Sequence, residues 1–192
     1  MTDPDADLIL RVAAGDARAG EQIVLRHSAR VVRVARRMLG DATEAEDVAQ
    51  DVFLRVWKAA SGWRTGEALF QTWLHRVTIN ACYDRLRRRR ETADAEAGLD
   101  VADPSDTPDE AWFKRQRAQR VRQAIAQLPE RQRAAIALCH FEQTSNIEAA
   151  AALGVSVDAL ESLLARGRRM LKTLLADLGP DLLGDVGEVR KE

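Results

Sequence analysis

Wherever apolar residues recur along this chain they do so at steps of three or four, and no segment carries a strand's every-second-residue period. Helix breakers are few: 11 Gly and 5 Pro in 192 residues, about 8% against roughly 12% in ordinary chains. Together these features predict an all-α fold of one medium or two small domains, and 46% hydrophobic residues suffice for packed cores. Two cysteines, Cys82 and Cys139, are too few for a disulfide scaffold. The acidic start lacks the basic and apolar regions of a secretion signal, and no run approaches the ~18 apolar residues of a membrane span. The expectation is a soluble, cytoplasmic, helical protein.

The periodic segments have recognisable ends. Residues 7–14 form a short helix stopped by Gly15. Asp16 caps a second helix that ends at Gly40. Gly20 inside it should cost about 1 kcal/mol relative to Ala, with no reason visible in the sequence. Thr43 and Glu46 form a capping-box pattern opening a helix to Lys58. Its inner face is Ala45, Val48, Ala49, Val52, Phe53, Val56 and Trp57, and Asp47, Gln50, Asp51 and Leu54 fall opposite. After a Gly-containing loop, a helix from Glu67 turns Phe70, Trp73, Leu74, Val77 and Ala81 inward.

Residues 94–109 contain Gly98, Pro104, Ser105 and Pro108 and almost no large apolar side chain, the pattern of a flexible acidic linker. About 20 extended residues span roughly 70 Å, so the two halves could act at separated sites. Beyond it, residues 111–127 form a helix, and Pro129 suits the first turn of the next. Ser145 with Glu148 caps a short helix ended by Gly154, and Ser156 caps a last helix to about Leu175. Val157, Leu160, Leu164, Gly167, Leu171 and Leu174 form its buried seam. A short helix, a Gly-containing turn and a longer helix ending in Arg166, Arg168, Arg169 and Lys172 make a helix-turn-helix pattern. An αα-hairpin of pure packing has the same pattern.

The formal net charge is −1, from 29 basic and 30 acidic residues, which as one number argues against a nucleic-acid ligand. The charges are segregated, however. Residues 41–51 hold five acids and no base, residues 76–90 six arginines against Asp84, residues 91–110 eight acids and no base, and residues 114–133 seven bases against Glu130. Such blocks suit different partners on different faces.

Three stretches carry a family resemblance: DATEAEDVAQDVFLRVW at 41–57; FQTWLHRVTIN at 70–80, running on to Asp84, Arg85 and Arg87 to Arg90; and LPERQR at 128–133 with GVS at 154–156 and RGRR at 166–169. The chain resembles the extracytoplasmic-function (ECF) sigma factors of the sigma-70 family of bacterial transcription initiation factors. The resemblance implies two helical domains, residues 1–92 (region 2) and 111–178 (region 4), joined by the linker 93–110 and followed by a tail, 179–192. The implied partners are core RNA polymerase, through its clamp coiled coil and flap, promoter DNA and an anti-sigma factor, with no membrane insertion.

By the same resemblance, Asp47, Gln50, Asp51 and Leu54 would meet the basic coiled coil, giving it carboxylates and one apolar anchor. Trp63, Arg64, Asn80, Asp84, Arg85, Arg87 and Arg88 would meet minus-10 DNA, where strand separation needs cations for phosphates and a pocket for an unstacked base. Trp73 is assigned to the core. Ser156, Glu161, Ser162, Leu163, Arg166, Arg168 and Arg169 would meet minus-35 DNA. Asp158, Glu161 and Leu163 stand where family members carry basic or polar residues; a glutamate accepts a hydrogen bond from cytosine, and Leu163 suits a thymine methyl. A second reading is a sigma mimic that sequesters an anti-sigma factor without binding promoters. Cys139 and His140 are adjacent rather than at metal-ligand spacing, and phosphate-loop, dinucleotide and nucleophile-elbow motifs are absent. No metal, cofactor or catalysis is expected.

Overall fold

The computed structural model describes residues 3–64, 66, 69–93 and 110–176, of which residue 93 and residues 110–115 by their backbone alone. The acidic linker and the tail lie outside these residues, as do Glu67 and Ala68. The described elements are helical: α1 (Ala6–Ala13), α2 (Ala17–Leu39), α3 (Ala42–Ala60), α4 (Phe70–Ala93), α5 (Glu110–Ala126), α6 (Glu130–Ile136) with a π-helical turn at Ala137–Phe141, α7 (Asn146–Leu153) and α8 (Val157–Leu174).

Most helix ends follow local rules. The Asp16 carboxylate accepts from the Arg18 and Ala19 amides, Ser145 and Glu148 form a complete capping box, and the Ser156 hydroxyl accepts from the Ala159 amide. Gly40 and Gly154 close α2 and α7 in the left-handed conformation that favours glycine. At α3 the sequence expectation needs correcting. Asp41 is the cap, accepting from the Glu44 amide at 2.8 Å, and Thr43 lies inside the helix. Pro129 precedes α6 in extended geometry instead of forming its first turn. Helix α4 starts at Phe70, after a non-helical Leu69, and the Phe70 amide donates to Asp3 Oδ2 at 2.8 Å; the expected start at Glu67 lies outside the described residues. A residue 67 positions away thus satisfies an orphan donor.

In the N-terminal domain, α2 is the axis against which α1, α3 and α4 pack. Ile23, Val34 and Met38 of α2, Val52 and Val56 of α3, and Phe70, Leu74 and Ile79 of α4 are fully buried, each contributing about 1.5–3 kcal/mol through apolar burial. Gly20 has its explanation here: a Cβ would lie 3.3 Å from the Trp57 ring. Trp57 is not a core residue as expected. It stays 43% exposed, covering Gly20 and meeting Phe53 edge-on at 6.1 Å. The N-terminal segment is tied in by Asp5, buried against His27 Nε2 (3.0 Å) and Arg26. Burial pushes the Asp5 carboxyl up, but hydrogen bonds from His27 and Arg26 outweigh it and hold the group below its ordinary value.

In the C-terminal domain α8 packs against α6 and α7, with Leu160, Leu164 and Leu171 buried along the expected seam; Val157, at its start, is 36% exposed. Gly167 permits the close approach of α6, since a Cβ would meet Ile136 Cγ1 at 3.1 Å. The two domains are packed against each other, α7 on α4 and the π-helical turn on α2. No local sequence pattern points to this contact.

Candidate polymerase and promoter interfaces

Asp47, Gln50, Asp51 and Leu54 occupy successive turns of α3, and all four are exposed. Three-to-four spacing places them on one stripe, while Val48, Val52 and Val56 bury the opposite one. Leu54 is 61% exposed. Beside it a groove of about 600 Å³ runs between α2 and α3, floored by Val24, Val32, Ala49 and Phe53 and edged by Leu54 and Trp57. Carboxylates flanking an apolar groove fit a partner with basic and apolar side chains on one face. Sequence reasoning missed the groove and Trp57; the aromatic's large moment toward the core masked a residue that straddles core and surface.

Helix α4 lies next to α3, and its arginines divide into two sets. Arg85 turns toward α3, 2.9 Å from Asp47 Oδ2 and 3.5 Å from Glu44 Oε2. Arg89 binds Glu44 at 2.7 Å and donates to the Leu39 carbonyl at the end of α2. These two cations fasten α3 to α4. Asn80, Asp84, Arg87 and Arg88 recur at steps of three and four on another stripe, where Asn80, Arg87 and Arg88 are exposed and Asp84 half-buried. Arg87 touches Asp84 (3.0 Å) and Glu91 (3.9 Å), exposed contacts that exchange readily for a phosphate.

Trp63 is half-buried, edge-on to Phe70 (5.7 Å) and Trp73 (5.5 Å). Its indole N–H is buried without a partner among the described residues. It anchors the loop to the start of α4, and the neighbouring Arg64 is exposed. Trp73 packs on the core from a half-buried position, as expected.

On α8 the outward stripe is Asp158, Glu161, Ser162, Arg166 and Arg169, all exposed, with Ser156 exposed at the cap. Two proposed DNA contacts are placed differently. Leu163 is half-buried against the core, and Arg168 is half-buried on the side of Cys139 and His140. Glu161 accepts a 3.4 Å hydrogen bond from Asn146 of α7, so the carboxylate that departs from the family pattern bridges the two helices of the motif.

The buried titratable groups argue for packing. Burial pushes the Cys82 and Cys139 thiols up to about 12 and about 11, so neither forms a thiolate near neutrality. Burial likewise pushes the Tyr83 hydroxyl up to about 12. Burial, with the Arg30 charge second, pulls His75 down to about 4. Among the described residues no three His, Cys, Asp or Glu side chains converge to hold a metal, and no helix is long and apolar enough to cross a membrane.

Three-helix packing around α2, an acidic outer face on α3, an arginine stripe on α4 and a helix-turn-helix define a class also found by comparison. The sigma-70 region 2 profile matches residues 23–92 and the sigma-70 region 4 profile residues 118–171. The chain is 34% identical over 170 residues to the ECF RNA polymerase sigma factor SigE of Mycolicibacterium smegmatis, covering 85% of this chain and 65% of that protein. It is 31% identical over 186 residues to the RNA polymerase sigma-H factor of Pseudomonas aeruginosa, covering 92% and 96%. The solved structure of CnrH in complex with the cytosolic domain of CnrY superposes with a TM-score of 0.70 at 30% identity, over 90% of this chain and 97% of that one. The protein belongs to the sigma-70 family of transcription initiation factors. Within it, the ECF RNA polymerase sigma factor SigM of Mycobacterium tuberculosis, 35% identical over 91% of this chain and 86% of that protein, and SigE place it among the ECF sigma factors.

Proposed function

We propose that this chain loads onto core RNA polymerase through the outer stripe of α3 and the adjoining groove, and so directs the enzyme to its promoters. Gln50, Asp51 and Leu54 meet the basic clamp coiled coil; Asp47, shared with Arg85, sits at the edge of that contact. Residues 1–92 act on minus-10 DNA, with Arg87 and Arg88 on phosphates and Asn80, Asp84 and the Arg64 loop at the separated strands. Arg85 serves the α3–α4 junction, and Trp63 supports the loop. Residues 111–178 act on minus-35 DNA and meet the flap; Arg166 and Arg169 hold phosphates, and Ser156, Glu161 and Ser162 face the groove. Residues 93–110 join the two domains, and residues 179–192 form a tail.

The observation that carries this reading is the exposed, carboxylate-flanked Leu54 on a helix whose other face is fully used in the core. The factor acts in the cytoplasm by binding, without catalysis, metal or cofactor, and an anti-sigma factor is its regulatory partner. The related CnrH was solved in complex with the cytosolic domain of CnrY, which supports a protein partner for this fold. The exposed Arg87, Arg88, Arg166 and Arg169 favour a promoter-binding factor over a sigma mimic. Adding the full chain to core polymerase on genome-derived templates should give transcripts with discrete starts; absence of any specific transcript would refute the reading.

A further inference from the structure

The contact between the domains is built around one carboxylate. Glu142 follows the π-helical turn of the C-terminal domain, and its side chain is 1% exposed. It enters a cage of three arginines one turn apart on α2. Arg33 grips it with two bonds, Nε to Oε1 at 3.1 Å and Nη2 to Oε2 at 2.7 Å. Arg37 Nη1 donates to Oε1 at 3.1 Å, and Arg30 Nε lies 3.5 Å from Oε2. The Arg37 guanidinium also stacks on Phe141, 4.1 Å from the ring centre. The next residue, Gln143, holds φ at +52°, a left-handed conformation that is unfavourable for a non-glycine residue. Backbone strain is therefore retained at the point where the carboxylate is delivered.

Lesser contacts complete the seam. Arg133, buried in the C-terminal domain, donates to the Met38 carbonyl of α2 as well as to the Ala126 and Leu128 carbonyls of its own domain. Arg76 of α4 donates to the Ala151 carbonyl of α7, and Arg90 pairs with Glu130 at 2.7 Å. Each bond that crosses the seam joins groups that water can solvate when the domains part. The docked state thus balances the desolvation of the Glu142 carboxylate against its attraction to three arginines that stay partly exposed, a balance that a partner can tip.

Docking also conflicts with the proposed function in scale. The minus-10 and minus-35 elements lie about 25 base pairs apart, roughly 85 Å at ~3.4 Å per base pair. A folded chain of this length has a radius of gyration of about 16 Å, hence a span of roughly 40 Å. The docked domains cannot sit on both elements. We infer that the docked arrangement is a resting state latched by Glu142 in the Arg30–Arg33–Arg37 cage, and that loading onto polymerase at a promoter requires the latch to open. This inference rests on the promoter reading above.

The test uses the full chain with Glu142→Gln, Arg33→Glu and the exchange R33E/E142R, each checked for helicity. Small-angle scattering should show a larger radius of gyration for both single variants and recovery of the wild-type value in the exchange. The single variants should also bind core polymerase roughly three- to tenfold more tightly, because a larger fraction is already open. Wild-type compactness in both single variants would overturn the latch. Expansion without tighter core binding would overturn the resting-state role. A wild-type chain that fails to bind core would instead count against the promoter reading, while the scattering result would still decide the latch.

Discussion

Two helices of the molecule end in clustered arginines, and they use them differently. On α4, Arg85 and Arg89 are held by Glu44 and Asp47 of α3, and Arg90 by Glu130 of the other domain. On α8, Arg166 and Arg169 stand exposed, and the Arg166 Nε–H reaches only back to the Ser162 carbonyl of its own helix among the contacts described. Five arginines within residues 85–90 thus leave Arg87 and Arg88 facing outward from α4. A basic run measures the charge near a surface, and the helix angle of each residue decides how much of it DNA can meet.

The first way to sharpen this contrast is the inward face of α4, which α8 has no counterpart for. His75 is 1% exposed, neither ring nitrogen has a partner among the described residues, and Arg30, Glu142, Glu148 and His27 act on it electrostatically. Its value near 4 lies below the ordinary 6.5, so the unfolded chain binds more protons between those values. Stability should fall as pH drops from 6.5 toward 4, by roughly 2–3 kcal/mol between pH 7 and pH 4.5 from this group. Urea denaturation of wild type and His75→Leu should show a shallower acid loss in the variant, since the leucine cannot take up the proton. Equal slopes would place the sensitivity elsewhere.

Next in size is Arg89. Arg89→Ala removes the Glu44 pair and uncovers the Leu39 carbonyl, and should cost about 1–2 kcal/mol in thermal or urea unfolding. Its promoter binding by the reconstituted holoenzyme should keep the wild-type salt slope. A lost phosphate contact would instead lower that slope by about one. Arg87→Ala and Arg88→Ala are the converse: stability unchanged, promoter affinity down by about 1 kcal/mol each, and the salt slope of the double variant reduced by about two. Arg85→Ala should have the smallest effect on DNA, under about twofold, because its guanidinium already faces Asp47 and Glu44. An effect as large as that of Arg88→Ala would erase the distinction drawn between the two sets.

What the sequence revealed and what it hid follow the range of the interactions. Caps made within three residues were legible: Asp16, Ser145, Ser156 and the closing glycines stand where spacing put them. The exposed stripe of α3 was legible because its opposite face is an uninterrupted apolar row. At α3 two caps competed locally, and Asp41, in extended conformation just ahead of the helix, prevailed over Thr43. Partners distant in sequence left no local trace. Asp3 at the start of α4 and Glu142 among arginines more than 100 positions away are fixed by packing alone. Gly20, costly in isolation, makes sense only once Trp57 lies across it.

In the proposed function the outer face of α3 joins this factor to polymerase. The most direct measurement is the affinity of core RNA polymerase for the full chain carrying Leu54→Asp, compared with wild type. Leu54 is mostly exposed, so the variant should fold with wild-type helicity and melting temperature. Core binding should fall about tenfold or more, as for an apolar anchor at the centre of an interface, with a matching loss of promoter-specific transcripts. A folded variant that binds core with wild-type affinity would contradict it.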